Sequence, residues 1–124
     1  MAKLEFTVKV RTRYVPERSD PAADQYFFAY TILVTNTGQA SAQLVSRHWI
    51  ITDGNQRVEE VRGPGVVGEQ PHLAPGESFE YTSACELPTP YGSMRGSYQC
   101  VGADGSPFEV PIAEFVLAMP RVLH

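Results

Sequence analysis

Apolar residues in this chain recur at every second position rather than at helical spacing. Leu4, Phe6, Val8 and Val10 alternate with polar residues, which indicates a strand with one buried face. No window carries apolar residues at i, i+3, i+4 and i+7 with capping signals at both ends, so we expect little or no helix. Such a chain must bury its apolar faces between β-strands rather than between helices.

Turn signals divide the sequence into seven predicted strands. Asp53, Gly54 and Asn55 tolerate a positive φ, so the third strand is expected to form a hairpin with the fourth. Arg11 and Arg13 are expected to lead the chain through solvent. The predicted strands are Leu4–Val10, Tyr26–Val34, Leu44–Asp53, Gln56–Arg62, Ser78–Cys85, Met94–Gly102 and Phe108–Met119. Pro111 within the last strand suggests a sheet edge or a bulge.

The strand count and the length favour one architecture. A chain of 124 residues with 43% hydrophobic residues can build one core, so residues 1–124 are predicted to form a single domain. Seven strands bury their apolar faces either in a barrel or in two packed sheets. At this length we expect an all-β antiparallel sandwich of the immunoglobulin or fibronectin type III kind.

The second strand is apolar on both faces. One face carries Phe27, Ala29 and Leu33, and the other carries Phe28, Tyr30, Ile32 and Val34. This pattern predicts a central strand that is covered on both sides. If a loop does not cover the outer face, that face is expected to contact a partner or a second copy in a homodimer.

Aromatic residues and cysteines allow a closer comparison with immunoglobulin domains. Trp49 lies in an apolar strand and is predicted to be a core residue. Tyr98 and Cys100 match the Tyr-x-Cys of one immunoglobulin strand, but the second strand has no Cys to complete a disulfide between the sheets. Cys85 and Cys100 are expected to be free thiols in a reducing compartment, with a disulfide as the less favoured alternative.

Charge and composition exclude several kinds of partner. The formal net charge of -4 gives no attraction to nucleic acid or to an acidic membrane surface. The residues after Met1 lack a signal-peptide pattern, so we expect a cytoplasmic protein. His48, His72 and His124 are scattered and no Cys-x-x-Cys pair is present, so no metal and no cofactor is predicted.

A Gly-x-Gly-x-x-Gly motif spans residues 63–68. In dinucleotide-binding folds a helix follows this motif, but Pro71 and Pro75 prevent one here. The favoured interpretation is a connection shaped by glycines between two strands. The alternative is an anion-binding nest of backbone N–H groups, with Arg62 at its mouth. The candidate ligand-binding residues are therefore Arg62, Gly63, Gly65, Gly68 and His72.

No catalytic arrangement is recognisable. Glu59 and Glu60 are neighbours on a strand and must point to opposite faces. Neither Ser nor Cys lies in a Gly-x-Ser-x-Gly pattern. The sequence therefore predicts that the protein is not an enzyme.

Several sequence blocks together resemble the ApaG family. They are residues 26–31 (YFFAYT), 48–53 (HWIITD), 63–71 (GPGVVGEQP), 74–77 (APGE), 81–83 (YTS), 92–98 (GSMRGSY) and 115–120 (FVLAMP). The resemblance implies a fibronectin type III-like sandwich. Similar domains occur in eukaryotic F-box proteins and in a DNA-polymerase-δ-interacting protein, which implies binding to other proteins. The family also carries a label that links it to cobalt resistance and magnesium efflux, and its gene often neighbours a diadenosine tetraphosphate hydrolase.

The two lines of reasoning lead to one leading hypothesis. We expect a non-enzymatic binding module that acts through a protein partner, with loops or a sheet face as the contact. The alternative is nucleotide or pyrophosphate binding at the glycine motif.

Overall fold

The computed structural model describes residues 2–120. Eight strands make up most of the fold: β1 (Phe6–Tyr14), β2 (Tyr26–Asn36), β3 (Ala42–Asp53), β4 (Val58–Pro64), β5 (His72–Leu73), β6 (Ser78–Leu87), β7 (Tyr91–Gly102) and β8 (Pro107–Ala118). The helices of this part of the chain are two short 3₁₀ turns, Pro16–Arg18 and Pro21–Ala23. None of them is long and apolar enough to cross a membrane.

The strands form two antiparallel sheets. One has the order β1-β2-β6, and the other has the order β4-β3-β7-β8 with β5 paired to β3. The prediction of an all-β sandwich is confirmed. Residues 2–120 contain eight strands rather than the seven predicted, because β5, at two residues, is too short to show an alternating pattern.

The first strand is longer than predicted. Arg11 and Arg13 were expected in a loop, but they lie in β1 and pair with Thr31 and Ala29 of β2. Both arginines are exposed on the outer face of their sheet. Charged residues at every second position therefore marked the solvent face of a strand rather than its end.

The hairpin between β3 and β4 is confirmed, with a different residue at its turn. Gln56 has the positive φ of 66°, whereas Gly54 and Asn55 do not. The Asp53 side chain accepts hydrogen bonds from the backbone N–H groups of Asn55 and Arg57 at 2.8 and 3.0 Å. This carboxylate shapes the turn, so the positive φ falls one residue later than expected.

The two faces of β2 differ, which corrects the expectation that both are covered. Phe28, Ile32 and Val34 face the opposite sheet and are fully buried. Residues of the other face, Phe27 among them, are only half-buried. Arg18 covers Phe27, with its guanidinium carbon 4.4 Å from the ring centroid. The outer face is therefore a partly shielded solvent face and not a second core.

Trp49 is buried at the centre of the core, as predicted. Its ring lies 5.7 Å from Tyr30, 6.3 Å from Tyr98 and 5.9 Å from Phe115, measured between centroids. Cys85 and Cys100 are free thiols. Pro111 lies on β8, at the sheet edge, next to a register irregularity between β7 and β8.

The two lateral sides of the sandwich are built differently. On one side β1 packs against β8, and Phe6 meets Phe108 edge to face with 5.5 Å between ring centroids. On the other side β4 of one sheet and β6 of the other border a cleft. The first side is closed by this packing, and the second carries the cleft.

Candidate functional site

A cleft lies between β4 and β6, and we call it the β4–β6 groove. It consists of two adjoining depressions of about 320 and 340 Å³. Both depressions are lined by Tyr30, Arg47, Trp49 and Ser83, so these residues form the shared middle of the groove. The groove thus reaches the aromatic core from the surface.

Strand alternation places these side chains in the groove. A register irregularity between Leu44 and Ser46 shifts the phase of β3, after which Arg47 and Trp49 point between the sheets. On β6 the same alternation directs Ser83 into the groove and leaves Thr82 exposed on the outer face.

The ends of the groove carry different chemistry. The loop end is lined by Pro64, Val66, Val67, Gly68 and Tyr81. The acidic end is lined by Glu59 of β4 and Glu86 of β6, with Cys85 between the sheets. Burial, together with the charges of Glu59 and Glu86, raises the pKa of the Cys85 thiol to about 11. The groove is therefore negative at one end.

The glycine motif forms a β-turn at the loop end, and no helix follows it. Val66 and Glu69 exchange both backbone hydrogen bonds, at 2.8 and 2.9 Å. The two residues between them, Val67 and Gly68, have φ of 43° and 81°. Positive φ at both central residues of a two-residue hairpin is typical of a type I′ turn. The interpretation as a glycine-shaped connection between strands is confirmed.

At each of the three glycine positions of the motif, the local structure disfavours a residue with a side chain. A side chain at Gly63 would approach the Arg47 guanidinium to about 3.0 Å. Gly65 combines φ of 59° with a site where a Cβ would lie 2.2 Å from the Glu69 carbonyl oxygen. Gly68 needs only its positive φ, since a Cβ there would meet nothing within 4 Å.

Arg47 connects the motif to the groove. Its Nη1 donates hydrogen bonds to the carbonyl oxygens of Pro64 and Gly65, both at 2.9 Å. Arg47 is half-buried, and within residues 2–120 its guanidinium has no ion pair with a carboxylate. This side chain fixes the loop and also supplies the positive charge of the groove.

Hydroxyl groups line the floor beside Arg47. The Tyr81 and Tyr98 hydroxyls form a hydrogen bond within the core. Burial raises the pKa of both tyrosines above the ordinary value. Burial also raises the pKa of Tyr30, and the nearby Ser83 hydroxyl partly opposes that shift. The three phenols are therefore protonated at neutral pH.

The residues predicted to bind a ligand do not come together at one place. Gly63, Gly65 and Gly68 lie in or beside the loop end. Arg62 is exposed, lies 3.7 Å from the Glu60 carboxylate, and lines neither depression of the groove. His72 is exposed on β5 and lines a separate depression with Gln43 and Val101. A ligand-binding role for these residues stays a prediction.

Sequence reasoning missed Arg47, which occupies the position that was expected for Arg62. A signal was present, because Arg47 and Trp49 are two residues apart on one strand and therefore share a face. Glu59 was set aside because Glu60 points to the opposite face. The structure agrees on the opposite faces, and it places Glu59 in the groove and Glu60 beside His48.

A serine, a histidine and a glutamate, the residue types of a catalytic triad, lie near one another on the outer face of the larger sheet. His48 pairs in register with Ser97, and its Nε2 lies 3.4 Å from a Glu60 carboxylate oxygen. The Ser97 hydroxyl, however, accepts a hydrogen bond from the Gln99 amide at 2.9 Å. Residues 2–120 contain no hydrogen bond between His48 and Ser97, and no group of three His, Cys, Asp or Glu residues with metal-site geometry.

Comparisons with known proteins give a consistent result. The family model of the ApaG domain matches residues 16–102. Protein ApaG of Bordetella pertussis is 70% identical over 120 residues, covering 97% of this chain and 92% of the relative. Protein ApaG of Ralstonia nicotianae is 63% identical over 124 residues and covers 100% of both. A crystal structure described as an ApaA protein of Bordetella pertussis superimposes with a TM-score of 0.93 at 69% identity, covering 96% of this chain and 97% of that chain.

Proposed function

The chain belongs to the ApaG domain family, and from that premise we propose that it is a non-enzymatic module that binds an extended segment of a protein partner in the β4–β6 groove. The observation that carries this proposal is the contrast between the two sides of the sandwich. One side is closed by aromatic packing, and the other carries a groove with a half-buried guanidinium that has no carboxylate partner within residues 2–120.

The walls of the groove suit an extended segment. Within residues 2–120, β4 pairs with β3 alone and β6 pairs with β2 alone. Each of these edge strands therefore presents backbone N–H and C=O groups that are not used in a sheet. A strand added to such an edge gains main-chain hydrogen bonds, while its alternate side chains enter the groove.

The partner's side chains would find apolar surface beside the polar groups. Ile51 and Val61 line the groove and are half-buried, and apolar surface of this kind contributes affinity at protein interfaces. The partner is a protein and not a nucleic acid or a membrane, because the net charge is -4 and the acidic end of the groove repels a polyanion. A cytoplasmic location belongs to the same proposal and is supported by the two free thiols.

Blocking the groove tests this function. Ser83→Trp fills the middle of the groove, whereas Thr82→Trp places the same ring on the outer face of the same strand. The purified protein is immobilised and exposed to cytosol of its own host, and captured proteins are quantified. We expect Ser83→Trp to abolish capture of a discrete partner and Thr82→Trp to retain it. Glu59→Arg, which alters only the acidic end, provides a second blocking variant if Ser83→Trp unfolds.

A second candidate function is binding of pyrophosphate or a nucleotide at the loop end. It is favoured by Val67 and Gly68, whose N–H groups have no acceptor within residues 2–120. The N–H groups of Gly65, Val66 and Glu69 are already bonded to carbonyl oxygens, which limits the number of free donors. Calorimetry with pyrophosphate and diadenosine tetraphosphate, with and without magnesium, tests this alternative. Gly68→Ala strains the turn through its φ of 81° without creating a clash, so it should weaken such binding, and binding that survives this variant would argue against the alternative.

A further inference from the structure

The loop end of the groove contains an unused hydrogen-bonding edge of Arg47. A guanidinium has five N–H donors, and Nη1 directs its two to the carbonyl oxygens of Pro64 and Gly65. The donors of Nε and Nη2 have no acceptor within residues 2–120, and no buried side-chain nitrogen or oxygen of that part of the chain lacks a partner. The unused donors therefore reach the open space of the groove.

This geometry points to a binding subsite for a single carboxylate, and we propose that the Nε–H and one Nη2–H of Arg47 hold it side-on. Parallel N–H donors of a guanidinium match the two oxygens of a carboxylate. The proposal rests on the proposed function, and it names the chemical group of the partner segment that would occupy the middle of the groove.

The surroundings of Arg47 favour a carboxylate over a phosphate. Arg47 is the only cationic residue among those that line the two depressions of the groove within residues 2–120. The neighbouring donors, Tyr30 and Ser83, are neutral hydroxyls. One positive charge balances one carboxylate, whereas a phosphate or pyrophosphate carries two or more negative charges and would also face Glu59 and Glu86.

The acidic end of the groove favours one orientation of the bound segment. Glu59 and Glu86 lie in the depression beside the one that holds the glycine loop, and both are exposed. A segment that places a carboxylate on Arg47 would therefore gain from a basic residue at the Glu59 end. Two opposite charges along one groove select one orientation of an extended chain.

The carboxylate subsite is tested with defined probes and NMR. The probe is the acetylated, amidated peptide Thr-Val-Thr-Glu-Thr-Val-Thr, and its control replaces the central glutamate with glutamine. A third peptide keeps the glutamine and has a free C-terminal carboxylate, and pyrophosphate is the fourth probe. The readouts are the Arg47 Nε–H signal and the Ser83 amide signal in ¹H–¹⁵N spectra. These arms separate a side-chain carboxylate from a chain terminus.

We expect saturable shifts of both signals with at least one carboxylate peptide and not with the amidated glutamine peptide. Arg47→Lys retains the charge but loses the paired donors, so affinity should fall about tenfold or more. Arg62→Lys, on the neighbouring strand and outside the groove, should leave affinity unchanged. Ser83→Ala leaves both bonds of Arg47 to the loop intact and should weaken binding by a few-fold.

Three results would overturn the subsite: stronger shifts with pyrophosphate than with either carboxylate, no shift with any probe, or equal losses in Arg47→Lys and Arg62→Lys. Failure of the subsite and failure of the proposed function are distinguishable. Partner capture that is lost in Ser83→Trp but unchanged in Arg47→Lys would retain the function and reject the carboxylate. Carboxylate binding without any captured partner would retain the subsite and reject the function.

Discussion

Each lateral side of this sandwich is bordered by one edge strand from each sheet, but the side chains between those strands differ. On the β1–β8 side, Phe6 and Phe108 bring the two sheets into contact. On the β4–β6 side, the sheets part around Arg47, and charged residues occupy the rim. On this comparison rests our proposal that the closed side contributes mainly to stability and the open side to binding.

Truncating one apolar side chain on each side of the sandwich should give the largest difference in unfolding free energy between the closed and the open side. Phe6 is 5% exposed, so Phe6→Ala should lower the free energy of unfolding by about 3–5 kcal/mol. Val61 is half-buried at the groove, so Val61→Ala should lower it by about 1 kcal/mol. Urea denaturation of both variants measures the difference. Equal losses would show that the open side is as much a part of the core as the closed side.

The glycine motif offers a comparison within the open side. Gly65→Ala forces a Cβ to within 2.2 Å of a carbonyl oxygen at positive φ and should cost about 3 kcal/mol of stability. Gly68→Ala meets no neighbour and should cost about 1 kcal/mol through its φ alone. Thermal unfolding distinguishes them. A larger loss in Gly68→Ala would contradict the turn geometry described above.

Two arginines on adjacent strands provide a smaller contrast. Arg47→Met removes two hydrogen bonds to the loop and should cost about 1–2 kcal/mol of stability. Arg62→Met removes an exposed side chain and should change stability by less than about 0.5 kcal/mol. Chemical denaturation at pH 7 measures both. If the two variants are equally stable, Arg47 does not hold the loop.

Ionisation of the two thiols should leave the free energy of unfolding unchanged at neutral pH and lower it at high pH. Burial raises the pKa of Cys85 to about 11 and that of Cys100 to about 12, from an ordinary value of 9.0. Between pH 9 and these values the unfolded chain loses thiol protons that the folded chain retains, so stability should fall as pH rises. Cys100→Ala should reduce this fall more than Cys85→Ala does. Unfolding curves at pH 8, 10 and 11.5 provide the measurement, and a fall unchanged in both variants would contradict it.

Much of the fold was predictable because alternation reports burial directly. The first strand follows from side chains that point to opposite faces in turn, and the core position of Trp49 follows from a large aromatic residue within an apolar strand. The end of β1 was not predictable in the same way, because Arg11 and Arg13 look alike in a loop and on the solvent face of a strand. The short β5 was missed because two residues cannot display a period.

The candidate site was less predictable because it depends on distance across the sheets. The sequence predicts a strand connection rather than a nucleotide-binding helix at the glycines, because Pro71 and Pro75 exclude a helix locally. That Arg47 rather than Arg62 reaches this turn depends on the irregularity near Ser46 and on the pairing of β3 with β4. Neither is encoded in a short motif. The acidic end likewise joins Glu59 and Glu86 from strands of different sheets.

The claim that the open side is the binding surface can be measured most directly on β4. Val61 lines the groove, and its neighbour Arg62 points to the opposite face. A photo-activatable phenylalanine analogue at each position, in the full chain within its own host, reports which face a partner contacts. The account predicts a discrete crosslinked product from position 61 and none from position 62. A product from position 62 alone would contradict it.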